Sequence, residues 1–299
     1  MKLLRVGTAG AERPALLDQA GILRDLSGVV DRLDAALLAA DPALARLRRA
    51  AADPEGLPPL DPAGLRTGPP LEAIGKIVCV GLNYHDHARE TGAAVPEEPI
   101  LFLKAPDTVV GPDDTVLIPP GSTRTDWEAE LGVVIGRTAR HLRTAEEGLA
   151  HVAGYTIAHD VSEREYQIER GGTWDKGKNC ETFSPLGPWL VTADEIPDPQ
   201  ALTVRLSVNG VLRQDGTTAD QIFPVGEAVA YISRFMTLYP GDIISTGTPA
   251  GVAMGQPEPK PYLRPGDVVE VEIAGLGRQR QVMGSAEEAI REAVREAAA

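Results

Sequence analysis

The chain has 299 residues, enough for a substantial core in one large domain or two unequal ones. Its 43 acidic against 29 basic residues give a formal net charge of −14, a field that repels phosphate backbones and disfavours nucleic acid as a partner. No apolar run approaches the roughly 20 residues that cross a bilayer, and the first residues lack the apolar stretch and cleavage site of a signal peptide.

Two cysteines, Cys79 and Cys180, make no disulfide framework, so a reducing, cytoplasmic setting is expected. Residues 1 to 70 read as a small N-terminal α/β unit. Leu3–Val6, Ala15–Leu17 and Ile22–Leu26 are strand-like, with the turn residues Asp18 to Gly21 making a hairpin. Val29, Val30, Leu33, Ala36 and Leu37 fall near a helical period, and Asp41-Pro42 starts a second helix with Asp41 as N-cap. The Pro- and Gly-rich stretch from Leu57 to Pro70 reads as a linker.

From Ile77 onward, short β-rich runs recur between Gly and Pro: 77–80, 116–118, 131–135, 154–157, 202–208, 243–245 and 268–273. Such spacing leaves little room for helical crossovers, so residues 71–299 are expected to form an α+β, mostly β domain with largely antiparallel strands. Helical spacing returns in Val225–Met236 and in the tail Ala286–Ala299.

The chemistry concentrates at strand ends. In Asp126-Trp127-Glu128-Ala129-Glu130-Leu131, Glu128 and Glu130 project from one face if the segment is a strand. Two like charges at the mouth of an apolar strand need a cation or solvent; alone, the pair reads more readily as a solvated strand end. Asp160, which closes the apolar run Gly154–His159, tips the balance towards a metal site. Ser162-Glu163-Arg164-Glu165 after it looks like a helix start. Three hard oxygen donors without a thiolate suit Mg²⁺, Mn²⁺ or Ca²⁺, and three protein ligands leave positions open for substrate oxygens.

In Val80-Gly81-Leu82-Asn83-Tyr84-His85-Asp86-His87-Ala88-Arg89-Glu90, a short helix would place His87 and Glu90 at i, i+3. That pairing either fixes the imidazole as a general base or is two surface residues on a loop. His85 and His159 are expected to be structural or exposed. Lys178, rather than Lys176, is the cation expected to grip an anionic substrate. The turn Ile244–Val252 offers hydroxyls and free N–H groups to a carboxylate, or is only a turn.

Taken together and in this order, these motifs resemble the fumarylacetoacetate hydrolase family over roughly Ile77 to Gly284. The likeness rests on Val80–Tyr84 with His87 and Glu90, Glu128-x-Glu130, Asp160 with Arg164 and Gln167, Lys178, and Gly241-Asp242 with Thr246–Pro249. The resemblance implies a mixed β-sandwich roll, usually dimeric, behind the small N-terminal domain of the longer bacterial members. It makes Glu128, Glu130 and Asp160 ligands of Mg²⁺ or Mn²⁺, with Ca²⁺ possible in vitro, and His87 and Glu90 a water-activating dyad on a lid segment. Lys178 becomes the residue that offsets enolate charge, while Arg164, Gln167 and Thr248 bind substrate.

The activity so implied is hydrolysis of the C3–C4 bond of a 2,4-diketo acid to pyruvate and a carboxylic acid. The stretch Lys176–Trp189 looks most like members acting on 2,4-diketo-3-deoxy sugar acids or related acylpyruvates. The alternative is decarboxylation or isomerisation of a 2-oxo acid of the oxaloacetate or hydroxymuconate type through the same enolate.

Overall fold

The computed structural model describes residues 1–297; the last two residues of the expected C-terminal helix lie outside the described residues, and the helix is seen over Ala286–Ala297. Two sheets organise the chain. In the larger one the order is Leu23–Asp25, Arg13–Leu17, Lys2–Val6, Ser184–Thr192, Val152–His159, Ala129–Ile135, Ile243–Ser245, Ile77–Gly81 and Ile100–Lys104. In the smaller, Val211–Thr217, Thr203–Val208, Val268–Ile273, Gly277–Ser285 and Val116–Ile118 lie side by side. Most pairings are antiparallel; Ile243–Ser245 runs parallel to Ile77–Gly81, and Val116–Ile118 parallel to Gly277–Ser285.

The period of two along the central strands explains why the larger sheet is buried on both faces. Val78, Val80, Leu131, Val133, Tyr155 and Ile157 point to a core shared with Val204, Leu206, Val269 and Val271 of the smaller sheet. Their neighbours Ile77, Cys79, Val134, Ala158 and Ile243 point the other way, onto Leu3, Leu16, Leu33, Leu37 and Leu47. Sheet-on-sheet packing therefore forms one core, and the N-terminal segment caps the opposite face.

Residues 1 to 70 are stitched into the larger sheet. Lys2 and Leu3 pair with Val191 and Leu190, and the hairpin forms as expected, with Asp18 accepting a hydrogen bond from the Ile22 amide at 2.8 Å. The expected helix over Val29–Leu37 instead occupies Ala35–Ala39, because the Asp34 carboxylate accepts from the Leu37 amide and starts the helix there. Val30 and Leu33 are nevertheless buried, in non-helical chain. The second helix spans Asp41–Ala52 with Ala40 at the cap, so Asp41 lies inside the first turn and makes no capping bond. The stretch expected to be a linker is tied down: Leu60 donates to the Leu23 carbonyl, and Thr67–Gly68 pairs with Arg5 and Val6.

Strand ends meet at one edge of the larger sheet. Ile77–Gly81, Val152–His159 and Ile243–Ser245 all finish there, and the antiparallel Ala129–Ile135 begins there. Leu131, fully buried and immediately following Glu130, anchors that edge to the core. Leu131→Ala is expected to cost about 2–5 kcal/mol in urea unfolding, the range for a buried leucine whose cavity cannot collapse.

Candidate active site

Each expected acid sits where the strand pattern puts it. Glu128 and Glu130 flank the start of Ala129–Ile135, and Asp160 follows Val152–His159, its amide donating to the Glu128 carbonyl at 3.0 Å. One carboxylate oxygen from each of the three lies within 4.8 Å of the others, and all three side chains are buried.

Buried carboxylates this close must be compensated. Lys178, on the short helix Asp175–Lys178, donates to Glu128 Oε2 at 2.8 Å and to Asp160 Oδ2 at 2.6 Å. Lys104, at the end of Ile100–Lys104, donates to the other Asp160 oxygen at 2.6 Å. Arg164 pairs with Glu128 at 2.7 Å and with the buried Asp126 at 2.8 Å. Glu130 is different: its partners are the Ser245 hydroxyl at 2.5 Å and the Gly247 amide at 2.9 Å, and no ion pair reaches it among the described residues.

The cluster thus sets four carboxylates, Asp126, Glu128, Glu130 and Asp160, against three cations. The consequences are visible in the proton affinities. Burial raises that of Glu128, but Lys178 and Arg164 outweigh it, holding the carboxyl well below the usual range. Burial, then the charges of Asp160 and Glu128, push Glu130 up to about 8. Burial opposes the charged form of Lys178, yet Asp160 and Glu128 keep it firmly protonated. A divalent cation among the three oxygens would supply the charge that Glu130 lacks. The donor set, all hard oxygen, fits Mg²⁺ or Mn²⁺.

His87 and Glu90 lie on the helix His85–Thr91, with His87 Nδ1 at 3.3 Å from Glu90 Oε2. Glu90 is held in turn by the Gly251 amide, 2.9 Å from Oε1. His87 lines the same cavity of about 220 Å³ as Glu128, Glu130, Lys178 and Thr248. Arg164 Nη1 donates to Gln167 Oε1 at 2.9 Å, so the Gln167 amide NH₂ is left for a ligand oxygen; both residues line the cavity. Thr248 is on the wall too, but its hydroxyl donates to the Ala129 carbonyl at 3.0 Å and accepts from Gln214 at 2.8 Å.

His85, His159 and the rival lysine stand apart from the cavity. His85 and Lys176 are exposed, Lys176 donating to the Arg170 carbonyl at 2.7 Å. His159 is buried beside Gln281, and burial lowers it to about 4, so it is neutral. The segment expected to start a helix at Ser162 first pairs Ser162 and Glu163 with Asp126 and Thr125; a single π-helical turn then covers Glu165–Glu169.

Sequence reasoning passed over Asp126 and Lys104. Asp126 accepts from Arg164 and from the amides of Ala253 at 2.7 Å and Met254 at 3.0 Å, binding the Arg164 side chain to the 253–255 turn. Its signal was its place two residues before Glu128. That of Lys104 was a lone cation closing the apolar run Ile100–Leu103.

Comparison with known proteins agrees with this geometry. The model of the fumarylacetoacetate hydrolase C-terminal family matches residues 76–283. A relative from Burkholderia multivorans, provisionally named a hydrolase, is 50% identical over 286 residues, 96% of this chain and 100% of its own length. Maleylpyruvate hydrolase of Sphingobium sp. SYK-6, solved with manganese(II) and pyruvate, superposes with a TM-score of 0.78 at 28% identity, covering 95% of this chain and 100% of that one. The 2-hydroxyhepta-2,4-diene-1,7-dioate isomerase of Mycobacterium marinum superposes at 0.72 with 31% identity, covering 96% and 99%. The chain belongs to the fumarylacetoacetate hydrolase family, a fold that carries both hydrolases and isomerases.

Two outcomes follow from the charge balance. Because metal-free Glu130 holds its proton up to about pH 8, Mn²⁺ binding at pH 7 is expected to release close to one proton. Calorimetry in two buffers of different ionisation enthalpy reads that number, and Glu130→Gln abolishes the release. Asp126→Asn leaves Arg164 with half its pairing and is expected to cost about 3 kcal/mol in chemical unfolding.

Proposed function

We propose that the protein is a divalent-metal-dependent hydrolase that cleaves the C3–C4 bond of an acylpyruvate, releasing pyruvate and a carboxylic acid. The observation that carries this reading is His87, paired with Glu90, on the wall of the cavity that Glu128, Glu130 and Lys178 also line. Hydrolysis needs a base for water as well as a group for the enolate, and both are present.

Glu128, Glu130 and Asp160 would hold Mg²⁺ or Mn²⁺, which when bound supplies Lewis-acid polarisation of the 2-oxo acid head. Support comes from the neighbour solved with manganese and pyruvate. Glu90, fixed by Gly251, takes the Nδ1 proton of His87 as a hydrogen bond, which leaves Nε2 as the basic nitrogen. His87 then removes a proton from water as its oxygen bonds to C4. The C3–C4 bond breaks, its electron pair passes to the pyruvate enolate, and C3 is protonated to complete the products. Lys178, protonated throughout, offsets the growing enolate charge. Gln167 and Arg164 orient the substrate head; Thr248 joins them only by exchanging the Ala129 carbonyl for a substrate oxygen.

The isomerase reading has the Mycobacterium marinum neighbour behind it, and it requires the same enolate but no attacking water. The same proposal makes the protein a cytoplasmic homodimer with a small anionic 2-oxo acid as substrate. His87→Ala separates the readings: acylpyruvate hydrolysis, followed as loss of diketone absorbance and as pyruvate formed, is expected to fall at least about 100-fold, with Mn²⁺ affinity unchanged. Consumption of oxaloacetate or a hydroxymuconate with no acylpyruvate turnover by the parent protein would replace the hydrolase assignment.

A further inference from the structure

The cavity is charged at one end only. Glu128, Glu130, Arg164, Lys178 and His87 gather at the carboxylate cluster, whereas Leu82, Ile100, Phe102, Ile168, Trp174 and Met254 make most of the remaining wall, with Thr91, Gln167 and Thr248 as its polar members. The Lys178 ammonium over the Phe102 ring marks where the two ends meet. The two permanent cations in the lining are already committed, Arg164 to Asp126 and Glu128, Lys178 to Glu128 and Asp160. Both stand at the end where the 2-oxo acid head would lie.

The apolar wall is built rather than incidental. Trp174 meets Phe102 edge to face, with ring centroids 5.5 Å apart. It also occupies the space that a side chain at position 81 would fill: a Cβ there would lie 2.3 Å from its ring. Gly81, at the end of a central strand, therefore lets the indole seat against the backbone. Met254 is positioned from behind, its amide bonded to Asp126. Ile168, half exposed at 53%, stands at the solvent side.

Resting on the acylpyruvate reading above, we propose that the substrate's distal group is uncharged and apolar, an alkyl or aryl acyl group, and that Ile168, Trp174 and Met254 read it. A second carboxylate at this end would be desolvated against hydrocarbon with no cation in the lining to meet it. The diacids in the names of the structural neighbours, maleylpyruvate and the 1,7-dioate, would be poor ligands here.

The test compares two 2-oxo acids of equal chain length by calorimetry on the Mn²⁺-loaded protein: 2-oxohexanoate, ending in a methyl group, and 2-oxoadipate, ending in a carboxylate. The monoacid is expected to bind at least about tenfold tighter. Ile168→Arg, a change at an exposed position that spares the fold, is expected to bring the ratio to unity or invert it. Equal or tighter binding of 2-oxoadipate by the parent protein overturns the apolar distal site while leaving the metal-centred reading standing. Binding of neither acid overturns the metal-centred reading itself, and the specificity with it.

Discussion

Four buried carboxylates face three buried cations at one edge of a sheet, and the organisation around them answers to that imbalance. Burying one unpaired carboxylate is costly enough that a protein neutralises it, pairs it or recruits an ion. Here Lys104, Lys178 and Arg164 satisfy Asp126, Glu128 and Asp160, and Glu130 is left with a hydroxyl and an amide. Its raised proton affinity expresses the missing charge. A binding site for a divalent cation is thus a site where the protein has stopped one positive charge short.

The fold makes this tolerable. Strands that are apolar on both faces run to the edge from two cores, so the acids cannot retreat into solvent, and the backbone holds them at fixed spacing. Connections leaving the edge supply the rest. The helix after Gly81 carries His87 and Glu90, the turn after Ser245 carries Gly247 and Thr248, and the segment after Asp160 carries Arg164, Gln167, Trp174 and Lys178. A rigid sheet end thus fixes the acids, while the loops set what enters.

Much of this was legible from the sequence because it obeys a local period. Glu128 and Glu130 are two apart at the start of an apolar run, Asp160 closes another, and His87 and Glu90 are three apart in a segment that becomes one helical turn and more. Other features were misjudged for the same reason. Val30 and Leu33 have helical spacing yet lie in non-helical chain, since Asp34 caps the helix later than the pattern starts. The Pro-rich stretch after Leu57 looks like a tether, but its backbone pairs with Leu23, Arg5 and Val6, partners about 30 to 60 positions away that no local window contains.

By itself, then, the sequence determined the class of chemistry: hard oxygen donors, a histidine beside a glutamate, and a lysine, in an order that specifies the family. Only the tertiary structure decided how the charges divide. Lys104 reaches Asp160 across 56 positions and Arg164 reaches Asp126 across 38, so which acid stays unpaired is invisible along the chain. The same holds for the cavity's apolar wall, where Trp174 rests on a glycine 93 positions earlier because two loops meet at the sheet edge. Charge and shape are properties of neighbours in space, and strand pairing, with the loops it brings together, chooses those neighbours.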